Sequence, residues 1–258
     1  MLHALLYGGI VGSSLGLTGG GGSILAVPLL IYGLGFEFRQ AVALSLGIVG
    51  ATSLYGAVLH RKQKLVRWKH GVVLGIGGIL GVPCGIALGA KISAQLSLIF
   101  FAVLMLYIAL GMLFPSYGPT APKWSRCSVD TQAERVHLPC LGKLLIAGVM
   151  TGILSGLFGV GGGFLLIPAL MSVARVGVQH AMATSLVAIV IISTSGLASN
   201  LSALASVSAT ISALFLTGSA LGMTIGVLTK RLFSPRALQL VFGLGVLATA
   251  VFVLIRNT

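Results

Sequence analysis

Two glycine-rich stretches carry what chemistry this sequence offers. Gly16 to Leu30 reads GLTGGGGSILAVPLL and Gly156 to Leu170 reads GLFGVGGGFLLIPAL, at a constant separation of 140 residues. Glycine accepts backbone conformations that other residues resist. A helix beginning just after such a break has N–H groups without helical partners, at the positive end of its dipole, so it attracts anions. The candidate substrate-binding set is Thr18, Gly19, Gly20, Gly21, Gly22, Ser23 and Ser45 for the first stretch. For the second it is Gly159, Gly161, Gly162, Gly163, Thr184 and Ser185. Thr52, Ser53, Ser193, Thr194 and Asn200 are further donors. Against this stands a plainer reading, in which glycines merely let membrane helices pack closely. Duplication of the whole GxxGxGGxxxxxP element favours the site. For single serines and threonines, bonding to their own helix backbone is the commoner fate.

Other chemistries find little support. The acidic residues are Glu37, Asp130 and Glu134, and no charged residue lies clearly inside an apolar run. Cation pathways and proton relays normally show such buried charge. Glu37 beside Arg39 reads as a solvated pair, and His180, opposite Gln40 of the first stretch, as an interfacial histidine. Cys127, Cys140 and His137 match no common zinc spacing, so neither metal nor cofactor is expected. The dinucleotide glycine fingerprint lacks its preceding strand and later acidic residue. Without a carboxylate pair or a nucleophile–base pair, the chain does not read as an enzyme.

The elements that must position these glycines are membrane helices. The chain is 57% hydrophobic and 7% charged, with a mean hydropathy of +1.09. Soluble domains carry about 25% charged residues, so most of this surface faces lipid. A net charge of +13 would suggest nucleic acid in a soluble protein. Here the basic residues fall between apolar runs, which excludes that partner and points to membrane orientation. Met1 to Gly9 holds no Lys or Arg, so this segment reads as mature membrane domain rather than secretory signal.

The 140-residue offset also pairs Gly8 with Gly148, Gly12 with Gly152, Pro28 with Pro168, Ser45 with Ser185 and Gly56 with Gly196. With one residue inserted, Gly77, Gly81 and Gly85 match Gly218, Gly222 and Gly226. The chain is thus a tandem duplication: a first membrane repeat over 1–115, a polar linker over 116–140 and a second membrane repeat over 141–258. Each repeat has three apolar runs near the roughly 20 residues that cross a bilayer. They are about Ala41–Leu59, Val72–Ala90 and Leu96–Phe114, then about Ala181–Asn200, Val207–Leu228 and Ala237–Ile255. The remaining piece of each repeat is overlong and broken at its glycines. As a single crossing, it leaves ten basic residues inside and six outside; as a hairpin, thirteen and three. The positive-inside rule favours hairpins. The expected fold is an all-α integral membrane protein of two inverted repeats, each a broken Gly-rich hairpin plus three transmembrane helices, with the linker cytoplasmic and the glycines near the midplane.

The paired motifs, each followed by an Ala-x-Ala/Thr-x-Ser helix, resemble the sulfite exporter TauE/SafE family over nearly the whole chain. The resemblance implies a multi-pass permease of the bacterial inner membrane for small sulfur-containing anions such as sulfite, thiosulfate or organosulfonates. It carries over Gly16, Gly19, Gly21, Gly22 and Pro28, with Gly156, Gly159, Gly161, Gly162 and Pro168. The two half-sites are unequal, since Thr18 and Gly20 face Phe158 and Val160. The reading is a secondary transporter working by alternating access, its partners a small anion and the lipid bilayer, with room for a homo-oligomer. An anion channel and a membrane assembly factor are the alternatives.

Overall fold

The computed structural model describes residues 2–61, 65–113, 138–173, 178–204, 207–229 and 235–257. Residues 116–137 of the polar linker, with Cys127, Asp130, Glu134 and His137, lie outside the described residues, as do Arg175, Lys230 and Arg231. Every regular element among the described residues is a helix. The first repeat contains α1 (Leu2–Thr18), α2 (Gly22–Pro28) with a wider π-helical turn (Leu29–Gly33), α3 (Phe38–Arg61), α4 (Trp68–Lys91) and α5 (Ala94–Leu113). The second contains α6 (Leu138–Phe158), α7 (Gly163–Val173), α8 (Val178–Ser199), the short α9 (Leu201–Leu204), α10 (Ala209–Thr229) and α11 (Pro235–Asn257). Proline has no N–H for the helical ladder, and the turn after Pro28 widens accordingly.

Five helices among the described residues are long and apolar enough to cross a membrane: Phe38–His60, Trp68–Lys91, Leu141–Phe158, Gln179–Ser199 and Ala209–Thr229. Ala94–Leu110 and Gly243–Arg256 are shorter apolar stretches. Large apolar side chains such as Leu80, Tyr107, Leu221, Leu228 and Ile255 stand exposed on the outside of the bundle. A soluble protein rarely leaves so much contiguous apolar surface bare.

Both broken segments reverse direction. In a straight helix, residues seven apart are separated by about 10 Å. Yet a Cβ placed on Gly22 would stand 2.5 Å from the Leu15 nitrogen and overlap the Val11 carbonyl. Gly162 meets Thr151 and Ser155, the residues 140 further on, in the same way. At the open end of the first hairpin, the Tyr7 ring lies 2.5 Å from a Cβ position on Gly33. Each segment therefore folds back on itself at its glycines.

Glycine stripes join the repeats. Gly8, Gly12 and Gly16 on α1 press against the backbone of Phe215, Ser219 and Met223 on α10, while Gly218, Gly222 and Gly226 answer from the other side. On α4, Gly77, Gly81 and Gly85 meet α6 at Leu145, Val149 and Ile153, opposite Gly148, Gly152 and Gly156. In both pairs the residue numbers rise together, so the helices run parallel. Small residues four apart let two backbones touch, which is how helices associate where lipid removes the hydrophobic drive. For these glycines, Gly16 and Gly156 included, packing is the observed role.

Equivalent helices run in opposite directions. Along α3 and α8, Leu46 lies at Gly196, Gly50 at Ser193 and Gly56 at Leu186. Along α5 and α11, Leu98 and Ala102 cluster with Val253, whereas Phe101, Met105 and Ala109 cluster with Val246 and Ala250. Two contacts near the ends agree. The Arg256 guanidinium lies 5.5 Å over the Tyr32 ring, and His180 Nδ1 is 2.9 Å from the Leu65 carbonyl oxygen.

Candidate functional site

The two breaks lie between the repeats, each held by the other copy. The Ser185 hydroxyl on α8 is shared between the Gly19 carbonyl and the Met182 carbonyl of its own helix, each at 2.8 Å. Ser45 on α3 donates to the Gly159 carbonyl, the equivalent bond. Gly19 has φ +76 and packs on Met182; Gly159 has φ +71 and packs on Val42. All four partners keep the 140-residue relation. A side chain at either glycine meets a left-handed backbone, which costs an L-residue roughly 1–2 kcal/mol, and also a neighbouring main chain 2.8 Å or 2.6 Å away. That explains glycine at both positions without invoking a ligand.

Beyond these points the half-sites differ. In the first, positive φ falls on Gly19 alone; Gly21 is right-handed, with φ −68. The Gly21 N–H donates to Thr18 Oγ1 at 2.9 Å, Thr18 donates to the Ser14 carbonyl at 2.6 Å, and Ser23 donates to the Gly20 carbonyl at 2.7 Å. In the second, Gly161 and Gly162 join Gly159 in positive φ. Leu165 and Leu166 both donate N–H to the Gly162 carbonyl where α7 starts. The Thr18 and Ser23 hydroxyls let the first break close on itself; their counterparts in the second, Phe158 and Gly163, carry none.

The breaks pass one another rather than meeting tip to tip. The register of α3 against α8 centres near residues 51–52 and 191–192, and Ser45 and Ser185 each stand about two turns from that centre, ~10 Å. Between them the backbones touch: a Cβ on Gly20 would stand 2.5 Å from the Gly163 oxygen, and one on Gly163 would stand 2.7 Å from the Gly20 oxygen. Thr184, also predicted for the site, is buried and accepts the Arg67 N–H at 3.1 Å, so it pins the loop before α4 to α8. Thr52 donates to the Ile48 carbonyl, and Thr194 bonds within its own helix. Asn200 donates to the Gly196 carbonyl at 3.0 Å. Ser53 and Ser193 are buried beside the α3–α8 crossing, and their hydroxyls find no partner among the described residues.

Glu37 is exposed, and its N–H is capped by Gln40 Oε1 at 3.3 Å. Cys84 is exposed on α4. Among the described residues no group of three His, Cys, Asp or Glu is placed to hold a metal.

Residues 4–253 match the protein family described as Sulfite exporter TauE/SafE. The chain belongs to the sulfite exporter TauE/SafE family. This TauE/SafE protein is 36% identical over 255 residues to a probable membrane transporter protein of Xylella fastidiosa strain 9a5c, covering 97% of this chain and 93% of the relative. It is 34% identical, with the same coverage, to a probable membrane transporter protein of the Temecula1 strain. To the probable membrane transporter protein YdhB of Bacillus subtilis it is 27% identical over 187 residues, 72% of this chain and 73% of the relative. No solved structure matches it. With its family and its long apolar helices together, this TauE/SafE protein is an all-α, multi-pass membrane transporter.

Proposed function

We propose that the protein is a secondary transporter of small sulfur-containing anions, such as sulfite, thiosulfate or organosulfonates, working by alternating access between two repeats inverted across the inner membrane. The reciprocal bonds from Ser45 to Gly159 and from Ser185 to Gly19 carry this reading. Through them each hairpin tip is gripped by the opposite repeat, so a shift between repeats alters both breaks together. The antiparallel α3 and α8, and the placing of Arg256 beside Tyr32 and of His180 beside Leu65, fit inverted repeats. Single-crossing, parallel repeats would put the members of each end contact on opposite sides. The basic residues around Arg67 and Lys69 argue for a cytoplasmic loop there.

The anion meets Thr18, Gly19 to Gly22, Ser23, Ser45, Gly159, Gly161 to Gly163, Thr184 and Ser185 as the surroundings of the two breaks, not all as direct ligands. Broken helices with substrate at the repeat interface are a recurrent transporter design. Counterflow of radiolabelled sulfite and thiosulfate in proteoliposomes, with sulfate and chloride as competitors, tests the proposal. Saturable exchange accelerated by preloading is expected. Dissipation without acceleration would make the protein a channel, and no flux of any sulfur anion would refute the substrate class.

A further inference from the structure

Serines and threonines in apolar helices ordinarily give their hydroxyl proton to a carbonyl three or four residues back. Ser13, Thr52, Thr151, Thr194, Ser219 and Thr249 all do so here. Ser53, Ser155 and Ser193 depart from the pattern. They are 0%, 0% and 1% exposed, and none of their hydroxyls finds a hydrogen-bond partner among the described residues. Two of them border the second break directly. Ser193 Oγ is 3.1 Å from the point where a Cβ on Gly161 would stand, and Ser155 Cβ is 3.7 Å from the equivalent point on Gly162. Ser53 is the repeat counterpart of Ser193. It lies one turn beyond Gly50, whose own Cβ position is 2.9 Å from Ser193 Cβ. Two unspent donors thus border the start of the eleven-residue helix α7, while the polar groups of the first break are bonded among themselves.

We infer that the protein binds one anion at a time, off the repeat axis, at the Gly161–Gly163 break. The hydroxyls of Ser193 and Ser155 donate to its oxygens. The ligand class is a small oxoanion with several acceptor oxygens on one centre, and the inference rests on the anion-transport reading above. An O–H group donates one hydrogen bond, so a ligand with several oxygens can engage both serines at once.

Equilibrium binding of radiolabelled sulfite and thiosulfate to the purified full chain tests this, with sulfate and chloride as competitors and S193A, S155A and S97A as variants. Ser97 is also buried with a hydroxyl that finds no partner among the described residues, but it lies on α5 away from the breaks, so it is the control. One anion per chain is expected, with about tenfold weaker binding in S193A and in S155A and S97A within twofold of the parent. In anion-free buffer S193A and S155A should melt at or above the parent temperature, because each removes a hydroxyl that no group among the described residues satisfies. Parent-like binding in both variants would overturn the inference and leave the transporter reading intact, as would two anions per chain. A lower anion-free melting temperature in S193A would show its hydroxyl bonded within the protein and overturn it too. Failure of the parent chain to bind any of the four anions, or an organosulfonate added in the same assay, would refute the anion reading and this inference together.

Discussion

At the scale of single residues, the glycines of the two motifs divide by cause. Gly19 and Gly159 are required twice over, by positive φ and by the backbone of Met182 or Val42. Gly19→Ala and Gly159→Ala should each destabilise the protein by roughly 2–4 kcal/mol, combining left-handed strain with overpacking. The check is thermal melting in detergent beside Gly142→Ala, where nothing stands within 4 Å of an added Cβ and melting should be unchanged or slightly raised. Ser45 and Ser185 act on the opposite repeat. Ser45→Ala and Ser185→Ala should each cost about 1 kcal/mol. Because both hold one interface, the double variant should be non-additive, which a double-mutant cycle would read.

At the scale of elements, the glycine stripes and the glycine breaks should respond differently to bulk. Leucine at Gly12 or Gly81 would drive a side chain into the carbonyl of Ser219 or Val149 and separate a parallel helix pair. Aggregation or loss of the monodisperse peak in size-exclusion chromatography is expected. Leucine at Gly161 would meet Ser193 Oγ, Val49 and Ile189 beside the break, with nearest approaches of 3.1 to 3.5 Å. The positive φ of Gly161 adds left-handed strain, so that variant should melt lower while keeping its elution profile, and show at least a hundredfold slower counterflow because it blocks the proposed site; normal exchange would remove the break from the transport path. Gly21 carries no such strain, because its backbone is right-handed and its N–H is already bonded to Thr18.

At the scale of the whole molecule, sidedness is the testable quantity. With Cys84, Cys127 and Cys140 replaced, a cysteine at Ser202 should react with a membrane-impermeant thiol reagent added outside intact cells. A cysteine at Lys69 should react only in inverted vesicles. The same side for both would refute inverted repeats, because one odd-crossing unit separates the loops. The apolar exterior makes the opposite arrangement costly: moving the loop around Arg67 and Lys69 outward would set the basic residues against the positive-inside bias.

The sequence alone determined the solvent, the duplication and the broken helices. A 7% charged fraction cannot clothe a soluble surface, a constant 140-residue register reports a copied unit, and proline with clustered glycine interrupts any helix. Charge placement also singled out hairpins, because Lys and Arg respond to membrane sidedness without reference to packing. Only the tertiary structure decided what each polar group does. Ser45 and Ser185 resembled ligand hydroxyls from their spacing, but the fold brings them to carbonyls in the other repeat. Thr184 accepts the Arg67 N–H from the loop before α4. Ser155 carried no sequence signal, since its repeat counterpart is Leu15, and it became visible through its place beside Gly162. Composition and periodicity report which solvent a segment meets, whereas a hydroxyl's role depends on which carbonyl lies within 3 Å of it, and that is set by packing between residues far apart in the chain.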